Sequence, residues 1–178
     1  MFQLFKKKET EAVKIELPEL EVDGDKIIIS SPMEGSVVPC TEIRDMTFKL
    51  EMLGKGVAII PTVGKVYAPA DGKIEMVMDS LHAFSMTTID GVEVMVHVGI
   101  DTVAFKGKHF KSHVKEGMMV KRGDLLLEFD LKAIEESGYG EITPIIIYNS
   151  ENYTEIEKMI GKEIKVGETL MKLTKAAI

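Results

Sequence analysis

The stretch GVEVMVHVGIDTV, residues 91–103, alternates β-branched apolar side chains with residues of other kinds and is the clearest predicted strand in the chain. Successive side chains of a strand point to opposite faces, so the stretch has two faces of different character. The predicted core face carries Val92, Val94, Val96, Val98 and Ile100. The other face carries Glu93, Met95, His97, Gly99 and Asp101. We therefore expect His97 on the accessible side of the strand and not in the core.

A second alternating run, SLHAFSMTT (residues 80–88), precedes this strand and has a shared face of its own. That face carries Ser80, His82, Phe84, Met86 and Thr88. Between the two runs, Asp90 and Gly91 are a strong signal for a β-hairpin with a two-residue loop. The sequence therefore predicts that the two runs pair as antiparallel strands.

A two-residue loop also fixes which residues lie opposite each other. It sets His97 opposite Phe84, and His82 opposite Gly99, where the missing side chain leaves room for a ligand or for the approach of another backbone segment. His82 and His97 then become diagonal neighbours on one face, with backbones about 7–8 Å apart. A slip of one residue would send the two imidazoles to opposite faces, so the inference depends on this register.

From Lys26 onward the chain consists of short β-rich runs separated by glycine, proline and aspartate. This pattern predicts an all-β fold, an antiparallel β-sandwich or barrel, for residues 26–178. One or two short helices are expected, over residues 131–137 and 152–160. Residues 1–25 are charge-rich without a helix or strand period, and we predict a flexible tail there.

Two pairs of similar segments indicate an internal repeat. SPMEGSV (residues 31–37) resembles APADGKI (residues 68–74), and GMMVKRGDLL (residues 117–126) resembles GKEIKVGETL (residues 161–170). The second match is too long to be explained by turn chemistry alone. We expect two copies of one small β-unit, packed about a pseudo-twofold axis.

The composition excludes several classes of function. The net charge of −7, with no basic stripe, argues against nucleic acid as a partner. Cys40 is the only cysteine, so no disulfide forms within the chain, and we interpret it as a small loop hydrophobe and not as a catalytic thiol. No apolar run approaches the ~20 residues of a membrane span. We expect a cytoplasmic protein.

The sequence allows three interpretations of the neighbouring histidines His82 and His97. The histidines are incidental surface residues, or they bind zinc, or one is a nucleophile and its neighbour donates hydrogen bonds to the transferred group. Zinc needs a third ligand, for which the candidates are Glu93, Asp101, His109 and His113. The last two lie among lysines, and we interpret them as part of a solvated loop.

These segments together resemble the glucose-family IIA component of the bacterial phosphoenolpyruvate-dependent sugar phosphotransferase system. The resemblance rests on GVEVMVHVGIDTV with HAFSM upstream, and on GKGVAIIP, APADGKI, FKGKHF, GDLLLEFD and TPIIIYN, in order from Ser31 to about Leu173. It implies an antiparallel β-sandwich built from a duplicated hybrid motif, which agrees with the repeat.

The resemblance also implies a phosphocarrier. His97 would accept a phosphoryl group through Nε2 from phosphohistidine on the carrier protein HPr. The group would then pass to a cysteine on the IIB domain of a sugar permease, with glucose as the default sugar. His82 would hydrogen-bond the phosphoryl oxygens, and Ser80 would orient His82. Residues that would contact the partners are Asp45, Phe48, Met78, Met95, Val98, Gly99 and Asp101. No cofactor is required, zinc at His82 and His97 is the one candidate metal, and a monomer is expected.

Two other classes share related scaffolds. A biotinyl or lipoyl carrier needs a lysine at a hairpin tip, whereas Lys132 begins a predicted helix. A lysostaphin-like zinc hydrolase would use the H-x-x-x-D element formed by His97 and Asp101, but the sequence lacks the H-x-H pair of that class. The glycine-rich G-x-x-x-x-G-K-[ST] phosphate loop is absent as well.

Overall fold

The computed structural model describes residues 15–177, which form an all-β fold with two short helices. The strands are β1 (Ile27–Ser30), β2 (Gly35–Val38), β3 (Lys55–Pro61), β4 (Lys65–Tyr67), β5 (Gly72–Val77), β6 (Ala83–Thr88), β7 (Glu93–His97), β8 (Phe110–Ser112), β9 (Met119–Val120), β10 (Leu125–Phe129), β11 (Thr143–Ile147), β12 (Tyr153–Lys158), β13 (Glu163–Ile164) and β14 (Thr169–Lys175). The helices are α1 (Met46–Lys49) and α2 (Leu131–Ser137). Short 3-10 turns cover Cys40–Glu42, Thr102–Phe105 and Ser150–Asn152.

The strands form three antiparallel sheets, which confirms the predicted fold class. An eight-stranded sheet has the order β13-β2-β3-β11-β7-β6-β5-β9, and the two three-stranded sheets are β1-β14-β12 and β4-β10-β8. The strand that carries His97, β7, therefore lies inside the large sheet, between β11 and β6. A central strand with a partner on each side is a rigid platform for a functional side chain.

Strand registers confirm the predicted repeat. β2 pairs with β13 so that Gly35 faces Ile164, and β5 pairs with β9 so that Gly72 faces Val120. In the repeated segments, Gly35 corresponds to Gly72, 37 residues later, and Ile164 corresponds to Val120, 44 residues earlier. The two pairs are therefore equivalent. The three-stranded sheets obey the same relation. Ser30 faces Thr169 in one sheet, and the equivalent residues Tyr67 and Leu125 face each other in the other sheet.

The two repeats also exchange backbone hydrogen bonds across the axis. The Ser30 N–H donates to the Pro69 carbonyl at 3.1 Å, and the Tyr67 N–H donates to the Pro32 carbonyl at 2.8 Å. Ser30 and Tyr67 are equivalent positions, as are Pro32 and Pro69. This reciprocal pairing is what an approximate twofold axis produces.

The core has a main cluster and a smaller one on the opposite face of β7. Val92, Val94, Val96 and Val98 lie in the main cluster as predicted, with no exposed surface. The smaller cluster covers the face that was expected to be accessible, and it consists of Cys40, Ile43, Phe48, Ala58, Met95, Ile100 and Ile146. Met95 is therefore 4% exposed, a correction to the prediction that its face is open.

The predicted hairpin register is wrong by one residue. His97 pairs with Ala83, and Phe84 pairs with Val96, so Phe84 belongs to the core and does not face His97. Thr88 and Val92 close the hairpin around three residues, 89–91, where two were predicted. The Thr88 N–H donates to the Val92 carbonyl, and the last of the three residues, Gly91, has a φ of 84°. A three-residue loop that ends in a left-handed glycine is the next most common hairpin connection.

Of the two predicted helices, one is correct. α2 covers residues 131–137, capped by Asp130, whose carboxylate accepts from the Ala133 N–H at 3.0 Å. Residues 152–160 contain strand β12 instead, where Ile156 pairs with Leu173 of β14. Pairing with a long neighbouring strand overrides the weak local helix preference of this charged segment. The sequence interpretation missed α1, which is a single turn.

The predicted tail is described only in part. Residues 1–14 lie outside the described residues, and residues 15–25 form no helix or strand but lie against the domain. The Pro18 carbonyl accepts from the Arg122 guanidinium at 2.9 Å, and the Asp23 carboxylate accepts from Lys172 Nζ at 2.8 Å. Among residues 15–177, no helix is long and apolar enough to cross a membrane.

Candidate functional site

His97 is the last residue of β7, and its half-buried ring is held from three directions. Nδ1–H donates to the Gly99 carbonyl at 2.7 Å. The Phe48 ring lies with its centroid 5.0 Å from that of His97, and the His82 ring lies 4.7 Å away at an interplanar angle of 82°. Because a carbonyl only accepts, the proton of the neutral ring is on Nδ1, and Nε2 carries the lone pair.

Gly99 is required for this geometry because of its backbone. It does not lie opposite His82, which corrects the predicted pairing, but another backbone segment does approach it closely, which was one of the two predicted reasons for a missing side chain. Its φ of 68° is in the left-handed region. A Cβ at this position would lie 2.6 Å from Thr102 Cγ2 and 2.7 Å from the Gly140 carbonyl oxygen. Only glycine fits, and only this conformation turns the Gly99 carbonyl back toward His97.

His82 lies in the loop between β5 and β6, and not in a strand as the alternation suggested. The Met78 N–H donates to the Ala83 carbonyl across that loop, and Leu81 has a φ of 59°. Strand alternation therefore does not set the direction of the His82 ring. The residue is nevertheless tied to the neighbouring strand, because its carbonyl accepts from the Val98 N–H at 2.7 Å.

The His82 side chain is 3% exposed and shares a 2.7 Å hydrogen bond between its Nδ1 and the Ser80 hydroxyl. Ser80 is thus next to His82, where the resemblance placed it. With Nδ1 engaged by the hydroxyl, the other ring nitrogen of His82 is its Nε2, the atom left for a ligand. The site combines two imidazoles, each with Nδ1 occupied by a fixed partner.

Both rings are neutral at pH 7. Burial, followed by the nearby His97 charge, lowers the pKa of His82 to about 4. Burial also lowers the pKa of His97, although the Gly99 carbonyl and the charges of Asp45 and Asp101 act in the opposite direction. A neutral imidazole keeps a lone pair on one nitrogen, which for His97 is Nε2 because Nδ1 donates to Gly99.

The two acidic residues lie on turns next to the rings. Asp45 is the N-cap of α1, and its carboxylate accepts from the Thr47 N–H at 2.8 Å. Asp101 is exposed, has a φ of 64° and precedes the 3-10 turn Thr102–Phe105. The Asp45 carboxylate is held by its capping hydrogen bond, whereas the Asp101 carboxylate makes no capping bond. The charge of each residue favours a positive charge on His97.

The predicted contact residues differ widely in exposure. Met78 is 37% exposed, whereas Phe48 is 6% exposed and Val98 is fully buried in the core. The Val98 side chain therefore has no surface to offer a partner, because it points to the core face of β7 and not to the face of His97. Phe48 instead supports the His97 ring from below.

Exposed apolar side chains that the sequence interpretation missed lie on the same elements. Met46 and Leu50 flank Phe48 and are 56% and 60% exposed, and Val103 follows Asp101 and is 52% exposed. The sequence contained a signal for Met46 and Leu50. They lie on opposite sides of Phe48 within a single helical turn, so the three side chains cannot all be buried. The site thus has an exposed apolar margin.

Metal binding finds little support in the donor set. Glu93 and His97 are the two ends of β7, about 13 Å apart at the usual rise per residue, so they cannot share an ion. His113 pairs with Glu128 at 2.7 Å, and His109 lies 3.9 Å from Asp130. Within residues 15–177 there is no group of three His, Cys, Asp or Glu that could hold a metal. Two imidazoles are one donor short of a catalytic zinc site.

Cys40 and Lys132 have the structural positions that the sequence predicted, a buried thiol and a lysine at the start of a helix. Cys40 is 3% exposed, and burial, with a smaller contribution from the Glu51 charge, raises its pKa to about 11, so the thiol stays protonated. Lys132 lies in α2, 3.7 Å from Glu136, and not at a hairpin tip.

The fold and the site together define a duplicated antiparallel β-sandwich with two paired imidazoles at the end of a central strand. Comparison with known proteins gives the family. The family model of the phosphoenolpyruvate-dependent sugar phosphotransferase system, EIIA 1, matches residues 27–153. The chain belongs to this family.

Individual relatives agree. The beta-glucoside-specific EIIBCA component of Halalkalibacterium halodurans is 40% identical over 152 residues, which are 85% of this chain and 24% of that protein. The glucose-specific EIIA component of Oceanobacillus iheyensis is 38% identical over 148 residues, 83% of this chain and 90% of that protein. The chain thus spans about a quarter of the first relative and nearly all of the second.

A solved structure matches the fold over most of its length. The glucose permease IIA from Mycoplasma capricolum has a TM-score of 0.78 and 32% sequence identity, and the match covers 84% of this chain and 96% of that one. The architecture described above is therefore the architecture of that IIA protein.

Proposed function

We propose that the chain is a phosphocarrier that accepts a phosphoryl group from phosphohistidine on HPr and donates it to a cysteine of a IIB domain. The observation that carries this proposal is the fixed tautomer of His97. Its Nδ1–H is bound to the Gly99 carbonyl, which leaves the lone pair on Nε2, and its ring lies 4.7 Å from the His82 ring between centroids. A histidine held this way accepts a group at Nε2 without moving a proton.

The transfer balances without an acid or a base. The Nε2 lone pair of His97 forms a bond to phosphorus, while the donor imidazole of HPr takes the electron pair of its own breaking N–P bond. The His97 ring becomes positively charged, and the Gly99 carbonyl, Asp45 and Asp101 stabilise that charge. In the onward step the ring leaves phosphorus as a neutral imidazole, and the attacking thiolate of the IIB cysteine forms the new bond.

His82 is proposed to hold the phosphoryl oxygens. When the Ser80 hydroxyl donates to Nδ1 of His82, the ring proton is on Nε2, and Nε2–H is the donor toward a group bound at His97. The lowered pKa of His82 keeps this ring neutral, so it binds the phosphoryl group without trapping it as a full ion pair. Phosphoryl transfer depends mainly on such positioning and charge stabilisation.

Both partners must reach the same nitrogen in turn, so the complexes are proposed to be transient. Asp45 and Asp101 would attract cationic side chains of the partners, and the net charge of −7 would guide basic surfaces toward the site. The exposed apolar margin of Met46, Leu50, Met78 and Val103 would supply the contact area. The relay would run in the cytoplasm, where phosphoenolpyruvate is made.

The sugar is set by the permease and not by this chain. The relatives are described as glucose-specific or beta-glucoside-specific, and we propose glucose as the default, with β-glucosides as the alternative. No cofactor takes part in the proposed steps. A zinc ion at His82 and His97 would need further donors from a partner protein, and calorimetry with micromolar zinc on the chain alone is expected to show no binding.

The proposal is tested by reconstituted sugar phosphorylation. Phosphoenolpyruvate, enzyme I, HPr and this chain are mixed with membranes that contain a IIB-bearing permease lacking its own IIA domain. The natural chain is expected to support sugar phosphate formation, and His97→Ala is expected to abolish it. Equal activity of the two chains would contradict the proposal. His109→Ala is the matched control, because that histidine lies beside Asp130 and not in the site.

A further inference from the structure

The turn that follows His97 is held by hydrogen bonds from other parts of the fold. Two successive peptide planes are involved, the one between Val98 and Gly99 and the one between Gly99 and Ile100. In the second plane, the Gly99 carbonyl accepts from His97 Nδ1, and the Ile100 N–H donates to the Gly140 carbonyl at 2.8 Å. The bond from Ile100 to Gly140 holds one end of the second plane, and the rotation about Gly99 that joins the two planes depends in addition on how the first plane is fixed.

Two threonines hold that first plane at its opposite ends. The Thr102 hydroxyl donates to the Val98 carbonyl, and the Thr143 hydroxyl accepts from the Gly99 N–H at 3.2 Å. Because a peptide unit is planar, holding its carbonyl and its N–H fixes its rotation. Both threonines have no exposed surface, so water does not compete for these bonds.

Thr143 uses its hydroxyl in both directions. It accepts from Gly99 and donates to the Glu141 carbonyl at 2.9 Å. The residue begins β11, where it faces Ile59 of β3, so the hydroxyl is anchored in the centre of the large sheet. A valine would fill the same space in this apolar environment. Because burying a hydroxyl costs free energy unless it is hydrogen-bonded, the hydrogen bonds of the Thr143 hydroxyl are the reason to expect a function for it.

We propose that Thr143 and Thr102 are positioning residues for the phosphoacceptor: together they fix the Val98–Gly99 peptide plane and thereby aim the Gly99 carbonyl at His97 Nδ1. The inference rests on the proposed function of His97. Its physical basis is the freedom of glycine, since Gly99 has no side chain to restrict its rotation. Without the two hydroxyls, the carbonyl leaves Nδ1, and the ring proton distributes between the two nitrogens.

A proton on Nε2 blocks that nitrogen as a nucleophile. The loss of either threonine hydroxyl is therefore expected to lower the rate of phosphoryl acceptance even though neither side chain reaches the reacting atoms. Removal of the partner that orients a metal-ligating histidine typically costs about 10–100-fold in metal affinity or activity, and we expect a loss at the low end of that range for His97. The reduction is expected in the maximal rate of acceptance, since the docking surface stays intact.

The test combines a spectroscopic measurement with a rate. Histidine ¹⁵N shifts of the full chain report the tautomer of His97, and radiolabel from phospho-HPr reports the rate of acceptance. The natural chain is expected to show a single tautomer with Nδ1–H. Thr143→Val is expected to show a mixture of tautomers and an acceptance rate lower by about tenfold. Thr143→Ser keeps the hydroxyl and is expected to restore both.

Thr88→Val is the matched control. Thr88 is also a buried threonine whose hydroxyl accepts a backbone N–H, from Val92 at 3.0 Å, but it is the last residue of β6, at the hairpin and not at the turn that follows His97. It is expected to leave the His97 tautomer and the acceptance rate unchanged. If Thr143→Val does not fold, Thr102→Val breaks the other end of the same peptide plane and is expected to give the same two changes.

The outcomes separate this inference from the proposed function. A single Nδ1–H tautomer and an unchanged rate in Thr143→Val, or in Thr102→Val if that variant is used, would overturn the positioning role. If the natural chain accepts no phosphoryl group, the proposed function fails, while the tautomer in the variants still decides whether the threonines orient His97.

Discussion

The rings of His82 and His97 meet edge to face with centroids 4.7 Å apart, although the backbone register sets Ala83, and not His82, opposite His97. The two imidazoles are brought together by a loop residue and a strand end, each fixed by its own Nδ1 partner. This arrangement separates acceptance, a property of His97, from the binding of the transferred group, a property of His82.

Replacing Ser80 tests how His82 is oriented. Ser80→Ala removes the partner of His82 Nδ1, so the ring loses its fixed tautomer and donates less reliably through Nε2. We expect acceptance on His97 to continue and onward transfer to IIB to fall about tenfold. Ser80→Thr keeps the hydroxyl and is expected to retain transfer. The measurement is the single-turnover rate from the phosphorylated chain to IIB, and equal rates for the alanine and threonine variants would contradict the role.

The buried His82 predicts a pH dependence of stability. Its pKa is about 4 in the folded chain and 6.5 in its ordinary environment. As the pH falls from 6.5 to 4, the unfolded chain binds a proton on this histidine that the folded chain does not bind, so the free energy of unfolding decreases. The shift corresponds to a loss of about 3 kcal/mol.

Carboxylates titrate over part of the same range, and the variant His82→Gln separates their contribution. Urea unfolding at several pH values is expected to give a steeper decline between pH 6.5 and 4 for the natural chain than for His82→Gln. Parallel profiles would show that His82 is protonated equally in the two states.

Gly99 and Gly91 form a matched pair for backbone strain. Both have a left-handed φ, of 68° and 84°, but a Cβ at Gly99 would collide with Thr102 and Gly140, while a Cβ at Gly91 meets nothing within 4 Å. Gly91→Ala is expected to cost about 1 kcal/mol, the ordinary penalty of a left-handed residue. Gly99→Ala is expected to cost more than about 3 kcal/mol and to slow acceptance by His97. Thermal unfolding of both variants measures this difference. Equal destabilisation would show that a Cβ at Gly99 is accommodated without a collision.

Leu17 packs on the axis between the two repeats. Its methyl groups lie against Gly123 and Gly167, which occupy equivalent positions in the repeat; a Cβ atom added at these glycines would lie 2.5 and 2.8 Å from Leu17. We expect Leu17→Ala to lower the free energy of unfolding by about 1 kcal/mol. Val22→Ala, at a side chain that is 91% exposed, serves as the control with no expected change. An unchanged urea midpoint for Leu17→Ala would show that the segment contributes nothing to stability.

The repeat and the core face of β7 could be predicted from the sequence because both are periodic. Gly123 and Gly167, for example, stand at equivalent turns and have φ values of 86° and 85°. Valines at every second position of β7 left one choice of core face. Signals of this kind are repeated along the chain, so an error at one residue does not change the conclusion.

The hairpin register could not be predicted in the same way. Asp90 and Gly91 favour a two-residue loop by local preference, but Thr88 closes the loop one residue earlier through two hydrogen bonds to Val92. The expected contact of His82 and His97 was correct for a different reason, since the β5–β6 loop and not strand alternation places His82. Burial of Phe48 and Met95 could not be anticipated because the cover, α1, has only four residues.

The central claim is that His97 Nε2 accepts the phosphoryl group. The most direct measurement is ³¹P and ¹⁵N NMR of the full chain after incubation with phosphoenolpyruvate, enzyme I and HPr, with His97→Ala and His82→Gln measured in parallel. We expect one phosphoryl group, labile to acid and stable to base, bound at Nε2 of His97 in the natural chain and in His82→Gln, and none in His97→Ala. A phosphoryl group that persists in His97→Ala, or a natural chain that takes none from competent phospho-HPr, would contradict the account.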